Sequence, residues 1–155
     1  MMKLENAGKR CFNLEEVRIG TPFEVKDAMN ITARIVDPDG EGLNDHYQKV
    51  TFSLLTSIIL HVLYAEPDKT IRGVAACLND PDIFDKMMRV EHDPEGRFRW
   101  KDQRGELVKV HPVIAQSAKE ILNKSGNEQS GIISTTNYFL TPIVSGFGCD
   151  QCSPV

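Results

Sequence analysis

At 155 residues the chain is sized for one domain, long enough to bury about 70% of its unfolded surface without disulfide or metal staples. Eighteen basic against 22 acidic residues leave a net charge of -4. That balance excludes a general polyanion binder and confines any nucleic-acid contact to a local basic patch. Met1-Met2-Lys3-Leu4-Glu5 runs into polar sequence with no signal-peptide pattern, so reduced thiols are expected.

Residues 1–20 read as a polar lead with one apolar cluster, Phe12, Leu14, Val17 and Ile19. Thr21-Pro22-Phe23-Glu24 then has the form of a capping box with proline at the first helical position. Val25, Ala28, Met29, Ala33 and Val36 predict one apolar face, and Thr32 joins it if its hydroxyl bonds back to the preceding turn. Ile31 and Ile35 lie off that stripe, and Asp37-Pro38-Asp39-Gly40 ends the helix.

The stretch from Asn44 to Tyr64 organises the rest. Asn44 or Asp45 can cap it. Val50, Leu54, Leu55, Ile58, Ile59, Val62 and Leu63 fall at helical spacing, with Phe52, Leu60 and Tyr64 on the other faces. A helix apolar nearly all round is normally enclosed by other helices. Thr51, Ser53, Thr56, Ser57 and His61 break the run, leaving apolar stretches far short of the ~20 residues a bilayer needs.

Thr70 caps a short helix with Ile71, Val74, Ala75 and Leu78 inward, and Asp80-Pro81 opens another with Ile83, Phe84, Met87 and Met88 inward. The alternation in RFRWKDQRGELVKV suggests a small hairpin or ordered loop near 97–110. His111-Pro112 starts a helix whose inner side is Ile114, Ala115, Ala118, Ile121 and Leu122. Ser125-Gly126-Asn127-Glu128 is a second capping box, opening a helix rich in small residues that runs to Leu140 and is ended by Thr141-Pro142. The predicted fold is all-α: a bundle of six or seven helices around a central buried helix (45–64), the body spanning 21–144 and a flexible tail 145–155.

Chemical motifs are mostly missing. Gly8-Lys9-Arg10 has neither the leading glycine nor the closing hydroxyl of a phosphate-binding loop, and no G-x-S-x-G or H-E-x-x-H occurs. Cys149 and Cys152 form a lone C-x-x-C with no second pair to complete a zinc site, and Cys11 and Cys77 are isolated. His46 and His111 sit where they can bond near helix starts, His61 reads as packed and satisfied, and His92 falls in a loop; metal ligation or general-base work is the rival reading. No catalytic residue, metal or cofactor is assigned. The working surface is the basic stretch: Arg97, Arg99, Lys101, Arg104 and Lys109, with Trp100 and Phe98 interleaved. Arginines beside aromatics suit single-stranded nucleic acid, whereas a hairpin would turn the rings to the core and the charges to water.

Phe12-Asn13-Leu14-Glu15-Glu16-Val17-Arg18-Ile19-Gly20-Thr21 and the run from Ile35 to Lys49 (IVDPDGEGLNDHYQK) carry a resemblance. So do Ile59 to Tyr64, His111 to Ala115 and Ser130 to Thr135. Over roughly residues 12–144 the sequence resembles TraG-type coupling proteins of conjugative type IV secretion systems. The resemblance implies the small all-α domain inserted in the RecA-like motor of those membrane-anchored proteins, with residues 1–20 a remnant of motor sequence. Such a domain faces the cytoplasm and helps recognise cargo: a relaxase or relaxosome accessory protein, a secreted effector, and DNA. Its fold is similar to the N-terminal DNA-binding domain of tyrosine recombinases. Asn13 runs directly into Leu14 where the family has F-N-P-L, and the likeness stops after Thr141-Pro142-Ile143-Val144. The Walker motifs are absent, so the expectation is no ATP hydrolysis by this chain, and a monomer or weak dimer that contacts its parent's motor domain but no membrane.

Overall fold

The structure, a computed structural model, describes residues 12–145. Among these, a 3-10 turn at Leu14–Glu16 precedes six α-helices: α1 (Glu24–Val36), α2 (His46–Ala65), α3 (Ile71–Leu78), α4 (Ile83–Arg89), α5 (Pro112–Leu122) and α6 (Gly126–Val144). No strand forms among them, and the protein is the all-α bundle that its periodicity predicts. The C-x-x-C of Cys149 and Cys152, and Cys11, lie outside the described residues.

Helix α2 begins where Asp45, rather than Asn44, accepts from the Gln48 amide at 2.7 Å. It is long and apolar enough to cross a membrane by length and composition. Its surroundings make it a core helix instead: α1, α3, α5 and α6 all pack on it, and Leu54, Leu55, Ile58, Ile59, Leu60 and Val62 have no solvent exposure. Burying each such side chain stabilises the fold by roughly 1.5–3 kcal/mol. Buried threonines also meet across the helix contacts, Thr56 with Thr32 at 3.0 Å and Thr136 with Thr51 at 3.4 Å.

Helix α1 corrects two expectations. It starts at Glu24, with Phe23 at the cap and Pro22 in the preceding turn, so Thr21-Glu24 does not close a capping box. Its buried face is Ala28, Ile31, Thr32, Ile35 and Val36, while Met29 is 42% exposed. The predicted stripe was centred on Met29 with the two isoleucines only widening it, whereas their large side chains gain most from burial and sit at its middle. Thr32 does bond back to Ala28 O, at 3.0 Å.

Helix α5 opens as read, with His111 at the cap and Pro112 first. Ser125 caps α6 through the Glu128 amide at 3.1 Å. Contrary to the predicted stop, α6 continues past Pro142 to Val144. The proline forfeits one backbone bond, but Ile143 is buried and holds the last turn against the core. Gly131 of α6 lets that helix approach the start of α2, since a Cβ there would lie 2.9 Å from the Tyr47 ring. Leu14 and Val17 of the lead are buried in the same core, and Leu122 of α5 is exposed.

Candidate docking surface

Between α4 and α5 the chain has no helix or strand to satisfy its backbone, and two aspartates take over that work. Asp93 is buried; its carboxylate accepts from the Arg97 and Phe98 amides, both at 2.9 Å, and its own amide donates to Lys109 O. Asp102 accepts from the Arg104 and Glu106 amides at 2.9 Å, closing a turn through Gly105 (φ 83°). The expected hairpin reduces to one antiparallel bridge, Lys101 with Leu107, so 97–110 is an ordered loop. Arg99 has a left-handed φ of 54°, which aspartate-anchored turns on either side oblige it to accept.

The aromatics pack against one another, Trp100 half-buried and Phe98 largely at the surface. Phe98 and Trp100 stack with centroids 5.3 Å apart, and Trp100 packs on His111 at 4.5 Å and edge-on to Tyr64 at 5.5 Å. Gly20 (φ 82°) closes the far side, where a Cβ would stand 3.0 Å from the Phe98 ring. These rings are engaged with one another and with the body, while Phe98 keeps 39% of its surface exposed.

Beneath them lies a buried carboxylate that sequence reading missed. Glu24 accepts from Tyr64 Oη at 2.5 Å, Gly20 N at 3.0 Å and His111 Nε2 at 2.7 Å. Burial works against its charge, yet these three donors outweigh burial and hold the carboxyl below the usual glutamate range. The Tyr64 hydroxyl is pushed far up by burial and by Glu24. The available signal was a glutamate in the first turn of an otherwise amphipathic helix.

Backbone donors also fix the histidine tautomers. His111 Nδ1 accepts from the Val113 amide at 3.2 Å, so its Nε2 carries the hydrogen donated to Glu24. The His111 amide in turn donates to His92 Nδ1 at 3.0 Å, which leaves the hydrogen of a neutral His92 on Nε2. Burial, helped by His61 and His111, holds His92 neutral with a pKa of about 3. His92 Nε2 faces His61 Nδ1 at 2.9 Å, so His61 keeps its hydrogen on Nε2.

That nitrogen is buried without a hydrogen-bond partner among the described residues, so His61 is packed but only half satisfied. It points to Glu66, 3.4 Å away, with Cys77 alongside. The folded chain thus gathers a His–Glu–Cys group that its sequence spacing hid. A metal would need the lone pair of His61 Nε2, and the relay supplies a hydrogen there instead. Burial, then Glu66 and Asp80, push the Cys77 thiol up to about 12, which keeps it a protonated core side chain. His46 bonds Glu128 at 2.8 Å, tying the first turns of α2 and α6.

The five cations and Trp100 singled out in the sequence all fall on the one loop, and they separate by role. Trp100 is packed inward, and Arg97 pairs with Glu95. Arg99, Lys101, Arg104 and Lys109 are exposed, with no ion pair among the described residues. Lys101 and Arg104 line a groove of about 700 Å³ against α5, joined there by Lys119, which the sequence did not single out. Only the folded loop brings Lys119 beside them.

Residues 2–147 match the family described as Type IV secretory system Conjugative DNA transfer. Two proteins of Escherichia coli described as conjugal transfer protein TraG are similar to this chain. One is 34% identical over 139 residues and the other 32% over 138, each alignment covering 86% of this chain. The chain spans about a fifth of the length of these relatives, 21% and 20%. No solved structure matches it.

Proposed function

Because the chain belongs to the conjugative DNA transfer family of type IV secretion, we propose that it is the cargo-docking body of a conjugative coupling protein. On this reading its partner is a relaxase, a relaxosome accessory protein or a secreted effector, engaged at the cytoplasmic face of the cell membrane. The contact surface is the 97–109 loop and the adjoining side of α5. One observation carries the proposal: on a chain of net charge -4, four cations with no ion partner among the described residues stand on a loop whose backbone is held by Asp93 and Asp102. A pre-ordered cationic rim loses little entropy on binding and steers an oppositely charged partner. Nucleotide turnover belongs to other parts of such a protein, since no phosphate-binding loop occurs in this sequence.

Pulldown of relaxase and accessory proteins from a conjugative system, with wild type and an Arg99→Ala/Lys101→Ala/Arg104→Ala variant, tests the reading. Capture by wild type and its loss in the variant are expected; equal capture by both would remove the loop from the interface. Direct DNA contact is the second reading, favoured by the same cations. It predicts a gel shift that weakens steeply with added salt and is lost in the triple variant.

A further inference from the structure

The groove between the loop and α5 has a chemistry of its own. Its floor is apolar, made by Met88 of α4, Val108 of the loop and Val113 of α5. Lys101, Arg104 and Lys119 stand on its walls. Among the described residues Asp102 is the one acid in the lining, and one of its oxygens is taken up by the Arg104 and Glu106 amides. Val113 and Gln116 also line a second depression of about 300 Å³, mostly apolar, that reaches Met29 and Phe52 and has Glu120 at its edge, bonded to Gln116. Met29 and Val113 are 42% and 37% exposed, so apolar surface is left uncovered beside the cationic rim.

We propose that this groove binds an extended protein segment in which acidic residues alternate with apolar ones, an inference that rests on the docking reading above. Charge complementarity selects the acidic side chains: three cations line this groove with no ion partner among the described residues, on a molecule that is acidic overall. The apolar floor selects against a nucleic-acid strand, which would bring phosphates to the walls but no aliphatic side chain to that floor. Of the two rings a strand would stack on, Trp100 lies against Phe98, Tyr64 and His111, which leaves only part of Phe98 open. Carboxylates meet the two lysines and Arg104, where a guanidinium can hold a carboxylate in two parallel hydrogen bonds. The intervening apolar side chains settle over Val108 and Val113 and run on towards Met29.

Fluorescence anisotropy with the whole chain and four labelled probes tests this: a glutamate–leucine alternating peptide, its lysine–leucine and glutamate–serine counterparts, and an oligothymidine. Wild type should bind the glutamate–leucine peptide most tightly. Lys101→Glu/Arg104→Glu/Lys119→Glu should weaken that binding by about tenfold or more and turn the preference to the lysine–leucine peptide. Val113→Asp, at a partly exposed position, should give the same loss by a second route, with circular dichroism reporting that both variants remain helical. An Arg34→Ala variant, at a surface cation that pairs with Glu16 and lines neither depression, should bind as wild type does. Failure of wild type to bind the glutamate–leucine peptide, equal binding after charge reversal, or binding of oligothymidine alone would each overturn the groove. Relaxase capture that survives the charge reversal would overturn it too, leaving the docking function but not the loop as its contact surface. Peptide binding by wild type with no capture of any transfer protein would instead count against the docking reading alone.

Discussion

Glu24 shows how much one buried side chain can hold. Its carboxylate receives donors from the lead segment, from α2 and from the cap of α5. Glu24→Gln replaces one acceptor oxygen with an NH₂ group that faces existing donors. We expect a loss of about 2–4 kcal/mol in urea unfolding, whereas Glu16→Gln, at an exposed pair with Arg34, should cost under ~1 kcal/mol. The histidines make a pH prediction with a definite sign. Folded His92 titrates at about 3 against an ordinary 6.5. Below ~6.5 the unfolded chain therefore takes up a proton that the folded chain refuses, and stability falls as pH drops from ~6.5 towards ~3. Glu24, shifted down, adds a further loss below the ordinary glutamate range. Urea midpoints should be flat above neutrality and decline from there, and His92→Asn should flatten the first part of the decline. At this scale the sequence was only partly legible. A histidine before Pro112 could be read as a cap from its position alone. The meeting of Glu24, Tyr64 and His111 could not, because 40 and 87 residues separate Glu24 from its partners.

Elements were easier to read than faces. Caps are local chemistry, so Asp45, Thr70, His111 and Ser125 could each be anticipated, and each does cap its helix. The buried face of α1 and the length of α6 depended on what lay opposite, which no short window contains. Glycine at element contacts gives a clean comparison. A Cβ at Gly73 in α3 would stand 2.0 Å from Asp68 O, while one at Gly126 meets nothing within 4 Å. Gly73→Ala must move the turn before α3 and should lower the melting temperature by several degrees, at about 2–4 °C per kcal/mol for a chain of this size. Gly126→Ala should leave it unchanged or raise it slightly, which differential scanning fluorimetry would register.

The whole molecule is organised by α2, and the sequence announced this clearly because an all-round apolar helix has few stable settings outside a membrane. The enclosure by four helices predicts where cooperativity resides. Leu55→Ala should cost 2–5 kcal/mol, and α2 amides should exchange hydrogen only through global unfolding, with the two responding together. The 97–110 loop was legible as a charged, ordered insertion, but not as a groove, since Lys119 and Met88 reach it from α5 and α4.

Glu24 and α2 also imply an order of failure. The loop rests through Trp100 and Phe98 on Tyr64 and His111, and those two are held by a single anion, whereas the helices are held by many aliphatic contacts that no proton can touch. Acid should therefore loosen the cationic rim while the bundle around α2 is still intact. In a solution acid enough to protonate Glu24, below the ordinary glutamate range, the molecule would keep its shape and lose its grip.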